Sequence, residues 1–360
     1  MRAVVLISGG LDSMLAVKLI EEQGVEPVLV NFDMGFGQAK LREKVPHKHP
    51  RQSGTKILRE RGYEVHTLDV REEFFREVIL NPAHGYGKQV NPCIDCKIFF
   101  QKKAYEFGKT VGAEFLVTGE VLNQRPMSQR KNVLYMIEKA AGLKGLIVRP
   151  LSGRILPPTE PEKKGFIDRK KMLDIQGRGR LRQMELARNY GFAEFETPAG
   201  GCLLTEEEMA ARIFDRFEHE GKESADFNEY QLLKVGHQFR FSPSCTMVTG
   251  RNFHENKYIA ELAPHVLKDG ILLDTQDVPG PLSFLMGADY PEYLDLAMRI
   301  TARYTDKKGT APVQILDKSG VLIEERVSDG IDDCDFMDFR ILREMHLLKK
   351  EKNAGQDENG

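Results

Sequence analysis

The sequence predicts an α/β chain, a doubly wound parallel sheet followed by a second, α+β domain. Three observations carry this expectation. Short apolar runs alternate with amphipathic stretches over the first 150 residues, and a glycine-rich turn stands at the first strand-to-helix junction. From about Leu232 the pattern changes to closely spaced strands. Arg2 to Ile7 reads as the first strand, followed by a helix through Leu15, Leu19 and Ile20. Val28 to Phe32 is the second strand; Val65 to Leu68, preceded by a helix over 51–61, is the third. The amphipathic segment Lys97 to Val111 leads into the fourth strand, Phe115 to Thr118, and Leu146 to Val148 is the fifth. Parallel strands of this kind place a ligand at their C-terminal ends.

The second domain reads in the same way. Gln238 to Phe241, Cys245 to Val248, Ile271 to Leu273 and Leu282 to Met286 read as strands. Asn256 to Leu262 and Tyr293 to Tyr304 read as helices, and Val313 to Val327 as a hairpin turned at Lys318-Ser319-Gly320. The expected divisions are 1–150, a basic connecting segment 151–230 that carries Cys202, 231–348, and a disordered tail 349–360. The polar stretch Glu218 to Tyr230 is expected as a linker.

Length and composition exclude several classes. The chain has 360 residues, 41% hydrophobic and 29% charged, with a formal charge of −2. That is enough for two domains, and too neutral for a chain that is basic throughout. No apolar run approaches a membrane span, and the opening segment has no long apolar stretch of the signal-peptide kind. Five scattered cysteines do not make a secreted disulfide framework, so a cytoplasmic chain is expected. Two local basic stretches remain. One is 38–51, and the other, 163–182, includes Lys170, Lys171, Arg178 and Arg180. Together they suggest polyanion contact.

The turn Ser8-Gly9-Gly10-Leu11-Asp12-Ser13 has the chemistry of an anion cradle. Glycines let backbone N–H groups approach a phosphate, the helix N-terminus adds positive charge, and the hydroxyls donate. Asp12 is placed to hold Mg²⁺. No lysine follows the glycines, which excludes the loop that grips a γ-phosphate. At the next strand end, Gly119 is expected to leave room for adenine or phosphate. Gln124 and Arg125 are expected at the nucleotide, with Ser128 and Gln129 beside them. Phe32 and Asp33, after the second strand, are weaker candidates near the adenosine.

Cys93 and Cys96 form a C-x-x-C before a long helix, and Cys202 follows two glycines. These three thiols suit three irons of a [4Fe–4S] cluster with one iron left open. A persulfide with a resolving thiol, or zinc with His84 as a fourth ligand, are the competing readings. Cys245 and Cys334 read as structural.

The hexapeptide S-G-G-L-D-S after an N-terminal strand resembles the signature of the PP-loop ATP pyrophosphatases, which have the adenine nucleotide α-hydrolase-like fold. The resemblance implies ATP cleavage between the α- and β-phosphates and adenylation of a carbonyl oxygen. The N-P-x-x-x-C segment ending at Cys96, with the later Gly-Cys at Cys202, is similar to the tRNA thiolases of that family. The Gly119 to Gln129 stretch resembles the 4-thiouridine-synthase type. These likenesses imply an ATP-dependent sulfurtransferase acting on a tRNA uracil, with Asp12, Cys96 and Cys202 catalytic. ATP, Mg²⁺ and a cluster on Cys93, Cys96 and Cys202 would be its cofactors, and a sulfur-donor protein or free sulfide its sulfur source. Val248 to Asn256, with the later Pro279-Gly280, resembles the NFACT-R type of RNA-binding domain and implies RNA contacts at Arg251, Asn252 and Arg303. Competing expectations are an amide- or nitrile-forming PP-loop ligase, a thiolase of a small molecule, and a non-catalytic RNA-binding factor regulated by ATP.

Overall fold

The computed structural model of the chain describes residues 1–37, 54–192, 202–275, 278–306 and 309–341. The basic stretch 38–51, the segment just before Cys202, Asp277 and the tail lie outside the described residues. Contacts divide the described chain into two compact units, one ending at Phe192 and one beginning at Cys202.

The first unit is built on five parallel strands, β1 (Arg2–Leu6), β2 (Glu26–Asp33), β3 (Val65–Asp69), β4 (Phe115–Thr118) and β5 (Ile147–Val148), in the order β3-β2-β1-β4-β5. β1 is central, with Val4 opposite Val28 on one side and Leu116 on the other. Side chains alternate along a strand, so β1 feeds both faces of the sheet. Ala3, Val5 and Ile7 pack with the helix α1 (Leu11–Glu21) and with Ala187 of a later helix. Val4 packs with Ile98, Ala104 and Ile137 on the opposite face. The helices there are α3 (Cys93–Thr110) and α4 (Lys131–Ala140). The shorter α2 (Gly54–Glu60) comes after the first undescribed stretch, and α5 (Leu181–Asn189) carries Ala187. Strand order reverses between β1 and β4, which fixes the crevice between their following loops as the ligand position.

Residues 151–192 belong to this unit. Ile175 N–H bonds to Leu151 O at 2.9 Å, and Gln176 bridges Leu122 in parallel.

The second unit is a six-stranded antiparallel sheet in the order β11-β10-β8-β9-β7-β6. In chain order its elements are α6 (Glu207–Glu220), α7 (Phe227–Leu232), β6 (His237–Arg240), β7 (Cys245–Thr249), α8 (Phe253–Leu262), β8 (Gly270–Asp274), β9 (Ser283–Gly287), α9 (Leu294–Arg303), β10 (Ala311–Leu316) and β11 (Leu322–Ser328). One face buries Met247, Leu273, Leu285 and Val313 under α9; the other buries Val248, Leu272 and Phe284 under α7 and α8. The polar stretch 218–230 is not the expected linker. It lies inside this unit because its charges are paired: Arg216, Glu220 and Glu229 form buried ion pairs at 2.6 and 2.8 Å, and Asp226 caps α7. Polar residues there satisfy one another rather than water.

Candidate active site

The turn between β1 and α1 is held from two sides by glycine backbone. Gly9 has φ 82°, a conformation that favours glycine, and Gly10 precedes the first turn of α1. Gly54 N–H donates to Gly9 O at 2.8 Å, and a Cβ on Gly54 would lie 2.5 Å from that oxygen. On the other side, a Cβ on Gly119 would lie 2.5 Å from the backbone of Asp12 and Ser13. The missing side chain of Gly119 thus makes room for the β1–α1 loop backbone. Ser13 is buried and its hydroxyl donates to Gly10 O at 2.7 Å, which rigidifies the turn; Ser8 is exposed.

Asp12 stands in the crevice between the β1 and β4 loops. Gln124 Nε2 donates to Asp12 Oδ2 at 2.8 Å, and Gln183 Nε2 donates to Gln124 Oε1 at 3.3 Å. Arg180 Nη2 lies 3.5 Å from Asp12 Oδ1. Three atoms here are buried without a hydrogen-bond partner among the described residues: Asp12 Oδ1, Arg180 Nε and Arg180 Nη2. Buried polar atoms in native proteins rarely stay unpaired, so this set marks a place for a ligand. Arg180, expected on an RNA surface, instead approaches Asp12, because Leu122 bridges Gln176 four residues earlier and draws the segment to the β4 loop. Gln124 orients Asp12 from a loop in which Asn123 has φ 61°, rare for a residue with a Cβ.

The other residues expected at the nucleotide make these contacts. Phe32 stacks on Phe100 with centroids 4.8 Å apart, within an aromatic group that includes Phe74 and Phe99, so it packs the sheet against α3. Asp33 Oδ1 accepts from Gly35 N–H at 3.1 Å. Arg125 is exposed; its backbone N–H donates to the buried Gln129 at 3.0 Å, and its side chain meets solvent.

Cys93 and Cys96 occupy the first turn of α3, three residues apart on one face and half-buried. Pro92 starts the helix, Cys96 N–H donates to Pro92 O at 2.8 Å, and Asn91 Nδ2 lies 3.3 Å from Cys93 Sγ. His84 pairs with Asp95 through both its backbone N–H (2.9 Å) and its ring Nδ1 (2.8 Å). Cys202 is half-buried at the start of the second unit, where its carbonyl accepts from the Thr205 hydroxyl at 2.7 Å. Among the described residues no three His, Cys, Asp or Glu side chains are grouped to hold a metal. Cys93 and Cys96 lie in the first unit and Cys202 in the second.

A buried charge cluster that sequence reasoning missed lies beside Cys96. Lys97 pairs with Glu120, Arg149 Nε bonds to Glu120 at 2.9 Å, and Arg149 also pairs with buried Glu138. Burial alone would raise the Glu120 carboxyl, but Lys97 and Arg149 hold it down at about 2. The cysteine helix is thus fastened to the end of β4 through the residue next to Cys96. Cys245 is buried on β7, where burial raises its thiol to about 12; Cys334 is raised by Asp335. Cys334 is exposed, and Cys245 is enclosed in the sheet.

The residues expected at RNA are dispersed. Lys170, Lys171 and Arg178 are exposed in the first unit. In the second, Asn252 caps α8 by accepting from His254 and Glu255 N–H at 3.0 and 3.1 Å. Arg251 pairs with Glu255 at 2.7 Å, and Arg303 with Asp333 at 3.1 Å.

Comparison with known proteins agrees with this division. Residues 1–141 match the tRNA methyl transferase HUP domain model, and residues 236–325 match the model of the NFACT protein RNA binding domain. A probable tRNA sulfurtransferase of Thermococcus kodakarensis is 32% identical over 152 residues, covering 42% of this chain and 37% of the relative. A tRNA-specific 2-thiouridylase of Clostridium botulinum is 24% identical over 131 residues, covering 36% of each. One from Marinobacter nauticus is 24% identical over 349 residues, covering 88% of this chain and 82% of its own. The matched region thus spans under half the length of the first two relatives. A crystal structure of a 4-thiouridine synthetase–RNA complex with bound ATP matches with a TM-score of 0.35 at 19% identity, over 64% of this chain and 52% of that one, too weak a likeness to bear on function. No helix among the described residues is long and apolar enough to cross a membrane.

Proposed function

We propose that the chain is an ATP-dependent sulfurtransferase that adenylates a uracil carbonyl oxygen in tRNA and replaces that oxygen with sulfur. The observation that supports it most is the set at the β1/β4 crevice, Asp12 Oδ1 with Nε and Nη2 of Arg180, buried beside a glycine turn and making no hydrogen bond beyond the 3.5 Å ion pair between Oδ1 and Nη2. An acceptor and a pair of cationic donors fit a metal–phosphate group. Asp12 would hold Mg²⁺ and Arg180 a phosphate, with α1 N-terminal N–H groups completing the cradle.

In the reaction, the uracil oxygen attacks the α-phosphorus and the bond to pyrophosphate breaks. Arg180 and the backbone donors stabilise the charge that builds on the departing phosphates. The uracil carbon now bears AMP, a far better leaving group than oxide, and a sulfur nucleophile displaces it. Gln124 and Gly119 hold Asp12 in register throughout. In this reading Cys96 carries sulfur, and Cys93 and Cys202 are the further thiols of the sulfur-handling set. A donor protein's persulfide reloads Cys96. The outer sulfur attacks the adenylated carbon as AMP leaves, a second thiol of the set cleaves the S–S bond, and an external thiol reduces the resulting disulfide. Free sulfide would instead attack that carbon directly, without passing through Cys96. No step is assigned to a cluster.

The test combines purified protein, ATP–Mg²⁺, unfractionated tRNA, a persulfide donor and a thiol reductant, and measures both pyrophosphate release and thiolated nucleosides by mass spectrometry. Wild type should show both. Asp12→Ala should lose both, whereas Cys96→Ala should keep pyrophosphate release and lose sulfur incorporation. Pyrophosphate release without thiolation under anaerobic conditions, with the persulfide donor and with added sulfide alike, would refute the sulfurtransferase reading.

A further inference from the structure

The second unit holds a concentration of guanidinium groups at the edge strand β6 that the expected RNA residues only partly describe. Arg212, Arg251, Arg303 and Arg340 face three carboxylates. Arg212 pairs with Glu208, Arg251 with Glu255 at 2.7 Å and Arg303 with Asp333 at 3.1 Å. Among the described residues no carboxylate pairs with Arg340. Arg340 is thus the guanidinium of these four that has no carboxylate within ion-pair distance among the described residues.

That guanidinium is held in place. Residues 340–341 run antiparallel to β6, with Arg340 bridging Phe239 and Ile341 N–H donating to Gln238 O at 2.9 Å. Arg340 Nη2 lies 2.6 Å from His237 Nδ1, and the His237 ring stacks on Tyr304 with centroids 4.9 Å apart and planes 24° from parallel. A guanidinium only donates, so His237 Nδ1 accepts and its proton sits on Nε2. Burial first, then Arg340, Arg251 and Arg212, lower His237 to about 4, so the ring is neutral at physiological pH. No described residue accepts from Nε2–H. Arg212 behaves consistently: burial lowers it to about 10, with Arg251 and Arg340 pushing the same way against Glu208 and Glu255.

We propose that Arg340, fixed by His237 and Tyr304 at the β6 edge, is a phosphate anchor of the second unit's RNA surface. The uncompensated fork would take a backbone phosphate in two parallel hydrogen bonds, and His237 Nε2–H would donate to the same phosphodiester or to an adjacent 2′-hydroxyl. An aromatic ring stacked beside a fixed guanidinium suits a strand of nucleotides better than a lone anion. The assignment differs from Arg251 and Arg303, whose charges are already opposed by carboxylates. It rests on the reading of this unit as binding tRNA.

The experiment is fluorescence anisotropy of the full chain with labelled unfractionated tRNA across a salt series, with folding checked by circular dichroism. Arg340→Gln should weaken binding about tenfold and lower the slope of log affinity against log salt by about one. Arg340→Lys should recover only part of the loss, since it restores charge without the fork. His237→Phe, which keeps the stack and removes both ring nitrogens, should weaken binding severalfold and serves if Arg340→Gln does not fold. Arg326→Gln, exposed on β11 and paired with Glu324, should match wild type. Arg340→Gln and His237→Phe both within twofold of wild type at every salt would overturn the anchor while leaving tRNA binding standing. No tRNA binding by wild type would overturn the anchor and the tRNA reading together. Binding is measured without ATP, which keeps both outcomes distinct from failure of the ATP reaction.

Discussion

In the first unit Lys97, Glu120, Arg149 and Glu138 form a buried cluster of two cations and two carboxylates. In the second, Asp215, Glu220 and Glu229 meet Arg216, Arg240 and Lys268 in a larger cluster, three against three. Both are neutral overall and both pair charges that would otherwise be costly to bury. Their positions differ. The second cluster ties α6, α7, β6 and the turn before β8 together, and includes none of the residues proposed for chemistry or RNA. The first joins Lys97, the neighbour of Cys96, to the ends of β4 and β5, where the nucleotide crevice lies. The same chemistry therefore serves stability in one unit and stability with site geometry in the other.

The widest separation between the two should come from cutting each cluster at its centre. Arg216 is fully buried, and Arg216→Ala strands Glu220 and Glu229 without it; a loss of roughly 3–5 kcal/mol is expected in denaturant unfolding. Pyrophosphate release per folded molecule should be unchanged. Glu120→Gln should also destabilise, by roughly 2–4 kcal/mol given the retained hydrogen-bonding shape. Here thiolation per folded molecule should fall at least tenfold. Equal activity of the two variants would erase the distinction.

Gly119→Ala makes a smaller change in composition, yet its methyl would meet loop backbone at 2.5 Å. ATP affinity measured by calorimetry should fall at least tenfold, with the second unit's tRNA binding retained. Acid sharpens the comparison differently. Glu120 and Glu220 are each held at about 2 against an ordinary 4.5, in each case against burial, which alone would raise them, by nearby cations. A carboxyl depressed in the folded state gives stability that is present above its unfolded value and disappears as pH falls through the folded one. Unfolding free energy should therefore drop from about pH 4.5 toward 2, and Glu120→Gln should flatten part of that decline. The smallest expected effect is Asn252→Ala, about 1 kcal/mol for a lost helix cap, with tRNA binding within twofold of wild type. A tenfold loss there would return Asn252 to the RNA surface.

Much of the fold is legible in the sequence because its signals are local. Apolar runs at β1 through β5 and the hairpin turned at Ser319-Gly320 mark themselves, and the glycine turn stands where strand gives way to helix. The site is legible only where neighbours in sequence are neighbours in space, as in the Ser8–Ser13 turn and the Cys93/Cys96 pair. Arg180 reads as part of a basic surface because nothing in its own segment announces Asp12, 168 positions earlier. Glu120 reads as an ordinary polar loop residue, since its partners Lys97 and Arg149 come from two other elements. Gly119 shows its need to be small, but the reason lies in backbone contact that only the assembled sheet creates.

The central place of β1 has a consequence for how the crevice responds to nucleotide. Ile7 N–H bonds to Val30 O at 2.8 Å, directly before the glycine turn, so this floor can open only when the sheet comes apart. The opposite wall, 119–130, is held by loop hydrogen bonds such as Asn123 N–H to Gln129 O at 2.7 Å and can exchange its amides through local excursions. In deuterium uptake the floor should already be protected in the free protein, and ATP should slow exchange chiefly along that wall. Ordering on binding is then confined to one side of the pocket.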